Sequence, residues 1–224
     1  MGRKTLKSKE NTSELVKLAN EDLEFIFNRG KGRIFWKGKE LTKGLGAYSS
    51  MRVKGIWYDS SQAIWKIESR EENRFSVYAK WFFLPIYQKW RMEIIKNKIL
   101  WKIDTKILEG VRPEIEQVNI MAVEGYNKWA LSNGITGEFE DSYTKDYDIL
   151  PFRYCYTSLD DPVINIKGKK LAPLYFRCIE GNGFKTLIEN SDHFYKARMI
   201  QYQKVNNEVF SPERKFFKGE IKVE

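Results

Sequence analysis

Apolar and polar residues alternate along most of the chain with a period of two. Gln88, Trp90, Met92 and Ile94 alternate with Lys89, Arg91 and Glu93; beyond Lys96-Asn97-Lys98, residues Ile99, Trp101, Ile103, Thr105 and Ile107 alternate with Lys102, Asp104 and Lys106. Successive side chains of a strand point to opposite faces, so this pattern predicts a long hairpin with one buried and one wet face. Asn97 suits the positive φ that a short hairpin loop commonly needs. Phe75, Val77, Ala79 and Trp81 alternate in the same way with Ser76, Tyr78 and Lys80, as do Phe217, Ile221 and Val223 with Lys218, Glu220 and Lys222. Upstream, Leu23, Phe25 and Phe27 share one parity. Arg29-Gly30-Lys31-Gly32 then turns the chain into Arg33-Ile34-Phe35-Trp36, and Lys37-Gly38 marks the next tight turn.

Helical periodicity is scarce. Ser13 to Leu18 is compatible with a short helix, and residues 125–134 fit either a short turn or a strand. Strands recurring at roughly 8 to 12-residue spacing, with turn residues between them, predict an all-β fold: a large antiparallel β-sandwich. Residues 1–21 are polar and lysine-rich and read as a tail or linker. Residues 22–224 read as a single β-sandwich domain, an ordinary size for that class. A strand at the C-terminal end predicts that nothing large is missing there.

Composition raises one question of its own. Aromatic residues make up 15% of the chain, with 7 Trp, 12 Tyr and 14 Phe, which is high. Large flat side chains either fill the space between two sheets or offer exposed rings to a sugar or a base, and the parity of the strands favours packing. Trp65, Trp81, Trp90 and Trp101 all fall on the apolar side; Trp57, beside Gly55 and close to Asp59-Ser60-Ser61, is the best candidate for exposure. The net charge of +9 suits an acidic partner only if the cations share a face, and along the chain they are interleaved with acids. The two cysteines, Cys155 and Cys178, are expected as free thiols. The basic N-terminus leads into no apolar run of signal-peptide length and no stretch is long enough for a membrane span, so a cytoplasmic chain, or a piece of a longer one, is expected.

The chemistry of the sequence narrows the reading further. Catalytic triads need an imidazole, and the chain has one histidine, His193, in the turn-like run Asn190-Ser191-Asp192-His193. No phosphate-cradling loop or dinucleotide fingerprint is present, and no cofactor or metal is predicted. Asp141, Asp146 and Asp148, or Asp160 and Asp161, are weak calcium candidates in acid-rich loops. A sugar site wants an aromatic platform beside short-range hydrogen-bonding groups, and two segments supply both: Gly55 to Asp59 with Trp65, and Trp81 through Gln88, Trp90, Arg91 and Glu93.

Gly32-Arg33-Ile34-Phe35-Trp36-Lys37-Gly38-Lys39-Glu40-Leu41-Thr42 resembles the opening hairpin of galactose-mutarotase-like β-supersandwich domains. Trp81 to Trp90 resembles their long central strands; Asn190 to Met199, with Phe217 to Ile221, resembles their closing ones. The resemblance spans residues 22 to 223 and rests on pattern. It implies a carbohydrate-binding or carbohydrate-processing domain, an accessory to a neighbouring catalytic domain in many carbohydrate-active enzymes. Mutarotases use a pair of histidines with a glutamate base, a pair that His193 alone does not supply. The expected partner is an oligosaccharide or polysaccharide, stacked on Trp57 and held by Arg52, Asp59, Gln88, Arg91, Arg177 or Arg198. Two alternatives remain: a free-standing epimerase, lyase or hydrolase acting on an acidic polysaccharide, and a nucleic-acid binder, which no signature supports.

Overall fold

The computed structural model describes residues 15–108, 110–143, 153–158, 163–181, 183–206 and 213–224. These residues form antiparallel strands, one short 3-10 turn at Ser60–Gln62 and no α-helix. In chain order the strands are β1 (Leu15–Asn20), β2 (Leu23–Asn28), β3 (Lys31–Trp36), β4 (Lys39–Glu40), β5 (Thr42–Val53), β6 (Ile56–Asp59) and β7 (Ala63–Arg70). There follow β8 (Arg74–Trp81), β9 (Ile86–Ile95), β10 (Lys98–Ile107), β11 (Ile115–Ala122), β12 (Lys128–Leu131) and β13 (Thr136–Glu138). The last are β14 (Arg153–Ser158), β15 (Val163–Gly168), β16 (Leu171–Glu180), β17 (Lys185–Asn190), β18 (Arg198–Val205) and β19 (Glu213–Val223).

They build two packed sheets. The first runs β1-β2-β3-β5-β11-β18-β17-β14, with β4 on β3 and β6 on β5; the second runs β13-β12-β15-β16-β19-β10-β9-β8-β7. The predicted hairpin is β9–β10, paired from Ile95/Lys98 to Ile86/Ile107, and its buried and half-exposed positions alternate as the sequence requires. The positive φ falls on Lys96 (53°) rather than Asn97, whose side chain instead donates to the Val223 carbonyl at 2.8 Å. Three other tight turns, Arg29-Gly30, Lys37-Gly38 and Lys54-Gly55, put both residues at positive φ, the geometry that matches strand twist in a two-residue hairpin loop.

Most of the aromatic excess lies between the sheets. Edge-on and tilted contacts link Phe27 to Trp65 (5.0 Å), Trp65 to Trp90 (4.8 Å), Trp90 to Trp101 (4.9 Å) and Trp101 to Phe217 (5.8 Å). Trp65, Trp81, Trp90 and Trp101 are all buried. Such offset ring pairs add to the area they remove from water, so a wide inter-sheet space is filled by few side chains.

Two expectations are corrected. Residues 15–20, expected in the tail, form a strand of the sandwich: β1 pairs with β2 along its whole length and sends Val16 and Leu18 into the core, while residues 1–14 lie outside the described residues. The helix-compatible reading of residues 13–18 gives way there because a sheet edge was available to pair with. Residues 125–134 contain the strand β12. Asp146, Asp148, Asp160 and Asp161 lie outside the described residues, and no cluster of three or more metal-ligating side chains occurs within them. Cys155 and Cys178 lie on different sheets and are not joined in a disulfide. No helix among the described residues is long and apolar enough to cross a membrane.

Candidate functional site

The centre of the first sheet is buried on both faces, and its two faces differ in chemistry. On β11 and β18, Val118, Ile120, Ile200 and Tyr202 point into the sandwich core. The alternate positions, Gln117, Asn119, Gln201 and Gln203, belong to the outer face and are nevertheless covered. Register places them in rows. Tyr48, Asn119, Gln201 and Leu187 stand side by side on β5, β11, β18 and β17; the next row is Ser50, Gln117, Gln203 and Lys185.

These side chains hydrogen-bond to one another. Ser50 Oγ donates to Gln117 Oε1 (2.8 Å) and accepts from Asn119 Nδ2 (2.9 Å); Gln117 Nε2 donates to Gln203 Oε1 (2.7 Å). Gln201 Nε2 donates to Glu189 Oε1 (2.6 Å). Among the described residues, Asn119 Oδ1 and Gln201 Oε1 have no hydrogen-bond donor, and Glu189 Oε2 has only the ion pair with Arg153 Nε at 3.7 Å. A buried oxygen without a hydrogen bond costs roughly 1–3 kcal/mol, and an ordered water or a ligand hydroxyl relieves that cost.

The face grades from closed to open. Asn119 and Gln201 are fully buried; Ser50, Gln117 and Gln203 are buried less completely; and at the rim Trp57 is 45% exposed. At the closed end Tyr48, Met121 and Met199 form a small apolar cluster with Leu45 and Ala197, and Tyr195 packs on it. At the opposite edge the Tyr156 ring lies beneath the Arg153 guanidinium and the Lys185 ammonium (5.4 and 5.0 Å). Burial pushes the Glu189 carboxyl above the ordinary carboxylate range, against the pull of the Gln201 hydrogen bond and Arg153. Burial likewise holds the Tyr48 phenol well above its usual range, reinforced by the negative charge of Asp59 and Glu189. The face thus offers carboxamides, hydroxyls, one carboxyl that holds its proton unusually well and a phenol that stays protonated.

Three of the seven expected ligand residues lie on this face. Arg52, Trp57 and Asp59 share the outer side of β5 and β6, where Arg52 pairs with Trp57 and Ser50 with Asp59. Arg52 Nε is bonded to Glu114 (2.7 Å), and Asp59 caps the 3-10 turn through Ser61 N (2.8 Å).

The other four are elsewhere. Gln88 points into the core, 1% exposed, where its Oε1 accepts from Ser49 Oγ (2.9 Å) and Trp90 Nε1 (3.1 Å) and ties the two sheets together. Arg198 is fully buried. Its guanidinium bonds the carbonyls of Tyr126 (3.0 Å) and Glu140 (2.5 Å), Asn190 Oδ1 (2.8 Å) and Asp141 Oδ1 (2.6 Å), and lies against Phe139 and Tyr143. It clamps connecting segments to β18, with the exposed Asp141 carboxylate as one of its partners. Arg91 and Arg177 lie on the outer face of the second sheet, opposite Lys102 and Glu220 respectively. The amide row itself was missed. Its signal is that β11 and β18 carry Gln or Asn where a wet face, as on β9 and β10, carries Lys and Glu.

The chain has the galactose-mutarotase-like fold. It superposes on a galactose mutarotase related enzyme from Lactobacillus acidophilus with a TM-score of 0.61 at 6% identity, covering 94% of this chain and 97% of that one. A protein from Synechocystis sp. PCC 6803 matches with a TM-score of 0.63 at 8% identity over 99% of both chains. A GH36 α-galactosidase from Geobacillus stearothermophilus matches with a TM-score of 0.57 at 7% identity, over 96% of this chain and 40% of the enzyme. No family model and no curated protein matches the sequence.

Proposed function

We propose that the outer face of the first sheet binds a sugar, and that this chain is a carbohydrate-binding domain. The observation that carries the reading is the line of carboxamides on this face, which runs from the covered Asn119 and Gln201 to Gln117 and Gln203 and on to the open Trp57 ring. A pyranose is dense in hydroxyl donors, and its apolar ring face suits an aromatic rim such as Trp57. Gln117 and Gln203 satisfy each other in the absence of ligand and exchange that bond for sugar hydroxyls. Fold neighbours described as a galactose mutarotase related enzyme and a GH36 α-galactosidase support the class of ligand, and the match to 40% of the α-galactosidase supports a place within a longer carbohydrate-active protein.

A panel of neutral mono- and oligosaccharides, titrated calorimetrically into the protein, tests the proposal. Binding that is insensitive to salt and lost in Asn119→Leu is the expected result; no binding to any neutral sugar sinks it.

One observation favours a second reading, an enzyme. Glu189, with its raised proton affinity, stands opposite Met199 on the same face, one row beyond Gln201, which donates a hydrogen bond to it. A carboxyl so placed suits proton transfer to or from a sugar oxygen. Polarimetry of a freshly dissolved aldose distinguishes the two: acceleration lost in Glu189→Gln indicates turnover, and an unchanged rate with intact binding indicates a binding domain.

A further inference from the structure

The outer face of the second sheet gathers cations that the alternation along the chain spreads apart. Arg91, Lys102 and Lys218 stand directly opposite one another on β9, β10 and β19; in a neighbouring register Lys89, Asp104 and Lys215 do the same. Like charges facing across a strand pair repel. The one carboxylate among these six, Asp104, is taken up by Arg91, while Lys102 and Lys215 have no ion pair among the described residues. Two grooves of about 410 and 500 Å³ run over this face and share Lys89 and Lys102 as walls. The smaller one is also lined by Tyr78 and Tyr87, whose rings lie 5.4 Å apart.

We propose that these grooves bind an acidic polysaccharide laid across β9, β10 and β19. Strands lie about 4.8 Å apart, so the Arg91–Lys102–Lys218 row presents three positive positions over about 10 Å. Its charges are interleaved with carboxylates, Glu68, Glu71 and Glu93 in one groove and Asp104 and Glu213 in the other. A nucleic acid strand, with a phosphate every ~3.4 Å along a duplex, meets repulsion from those carboxylates. A carboxylated sugar chain places hydroxyls between its charges, and hydroxyls donate to carboxylates. Tyr78 and Tyr87 supply the ring contact. This site lies on the opposite side of the sandwich from the amide rows and stands independently of them.

The test uses the full chain with three probes: an oligogalacturonate, a neutral malto-oligosaccharide of equal length and oligo(dT), each at about 50 and 200 mM salt. Oligogalacturonate is expected to bind and to weaken as salt rises. Lys102→Glu with Lys218→Glu lowers its affinity at least tenfold without lowering the thermal midpoint, the Gln pair weakens it less, and Asn119→Leu leaves it unchanged. Failure of oligogalacturonate to bind at low salt overturns the proposal, as does undiminished binding by the charge-reversed variant. Tighter binding of oligo(dT) assigns the face to nucleic acid instead, and loss in Asn119→Leu moves the ligand to the first sheet.

Discussion

Asn119 on β11 and Gln201 on β18 stand directly opposite each other on the outer face of the first sheet, both fully buried, each with a carbonyl oxygen that no donor among the described residues reaches. The amide nitrogens are used differently. Asn119 gives its own to Ser50, which keeps a second bond to Gln117; Gln201 gives its own to Glu189. Asn119→Leu removes an unsatisfied oxygen and strands nothing, so its stability is expected to change by less than about 1 kcal/mol. Gln201→Leu leaves the buried Glu189 carboxyl without its donor and is expected to cost about 1–3 kcal/mol. Thermal denaturation of the two variants checks the contrast, and equal effects contradict the assignment of partners.

Glu189 gives stability a pH dependence of definite sign. Its folded pKa lies above the unfolded value, so the folded chain holds that proton more tightly, and ionising it opposes folding. This contribution is absent below the ordinary glutamate range, about 4.3, and grows as pH rises through the raised folded value. Glu189→Gln therefore matches the parent in acid and gains on it above that window. Urea midpoints taken along a pH series measure this, and a difference that does not grow with pH refutes it.

Arg198 is a structural clamp, and its loss is expected to be expensive. Removing it leaves the Glu140 carbonyl, Asn190 Oδ1 and Asp141 short of a donor and opens space beside Phe139 and Tyr143. Asp141 is exposed and is rehydrated, so the cost comes from the stranded carbonyl and carboxamide oxygens, about 1–3 kcal/mol each, and a loss of that size lowers the melting temperature of a chain this long by roughly 2–4 °C per kcal/mol. Arg198→Lys does not restore it, since an ammonium lacks the planar fork that reaches these acceptors together.

Trp57 is the exposed tryptophan of the rim, while Trp65, Trp81, Trp90, Trp101 and Trp129 are buried. Trp57→Ala is expected to leave the fold within about 0.5 kcal/mol, the usual range for a surface change, and to remove most of the acrylamide-quenchable fluorescence. A bound sugar protects the same signal in the parent. Quenching that is unaffected by the substitution contradicts the exposure of this ring.

What could be read from the sequence follows from where each strand meets water. β9 and β10 have one wet face, so Lys and Glu alternate with Trp and Ile and the hairpin is legible. β1 is six residues with apolar side chains at both parities, a pattern that fits helix and strand alike, and only its pairing with β2 decides it. Gln88 and Arg198 were expected to hydrogen-bond a sugar. Their partners, Ser49 on the facing sheet and Asp141 on a connecting segment, are distant in the chain, and neither is visible in local pattern. The amide row on β11 and β18 was legible in principle, since Gln and Asn at every second position of an otherwise apolar strand mark a polar face that is covered.

The most direct test of the sugar-site claim is backbone amide hydrogen exchange with and without a saturating neutral sugar that the panel shows to bind. Protection concentrated on β5, β11 and β18, and on the rim at β6, is the predicted result. Protection confined to β9, β10 and β19, or absent from the first sheet, contradicts it.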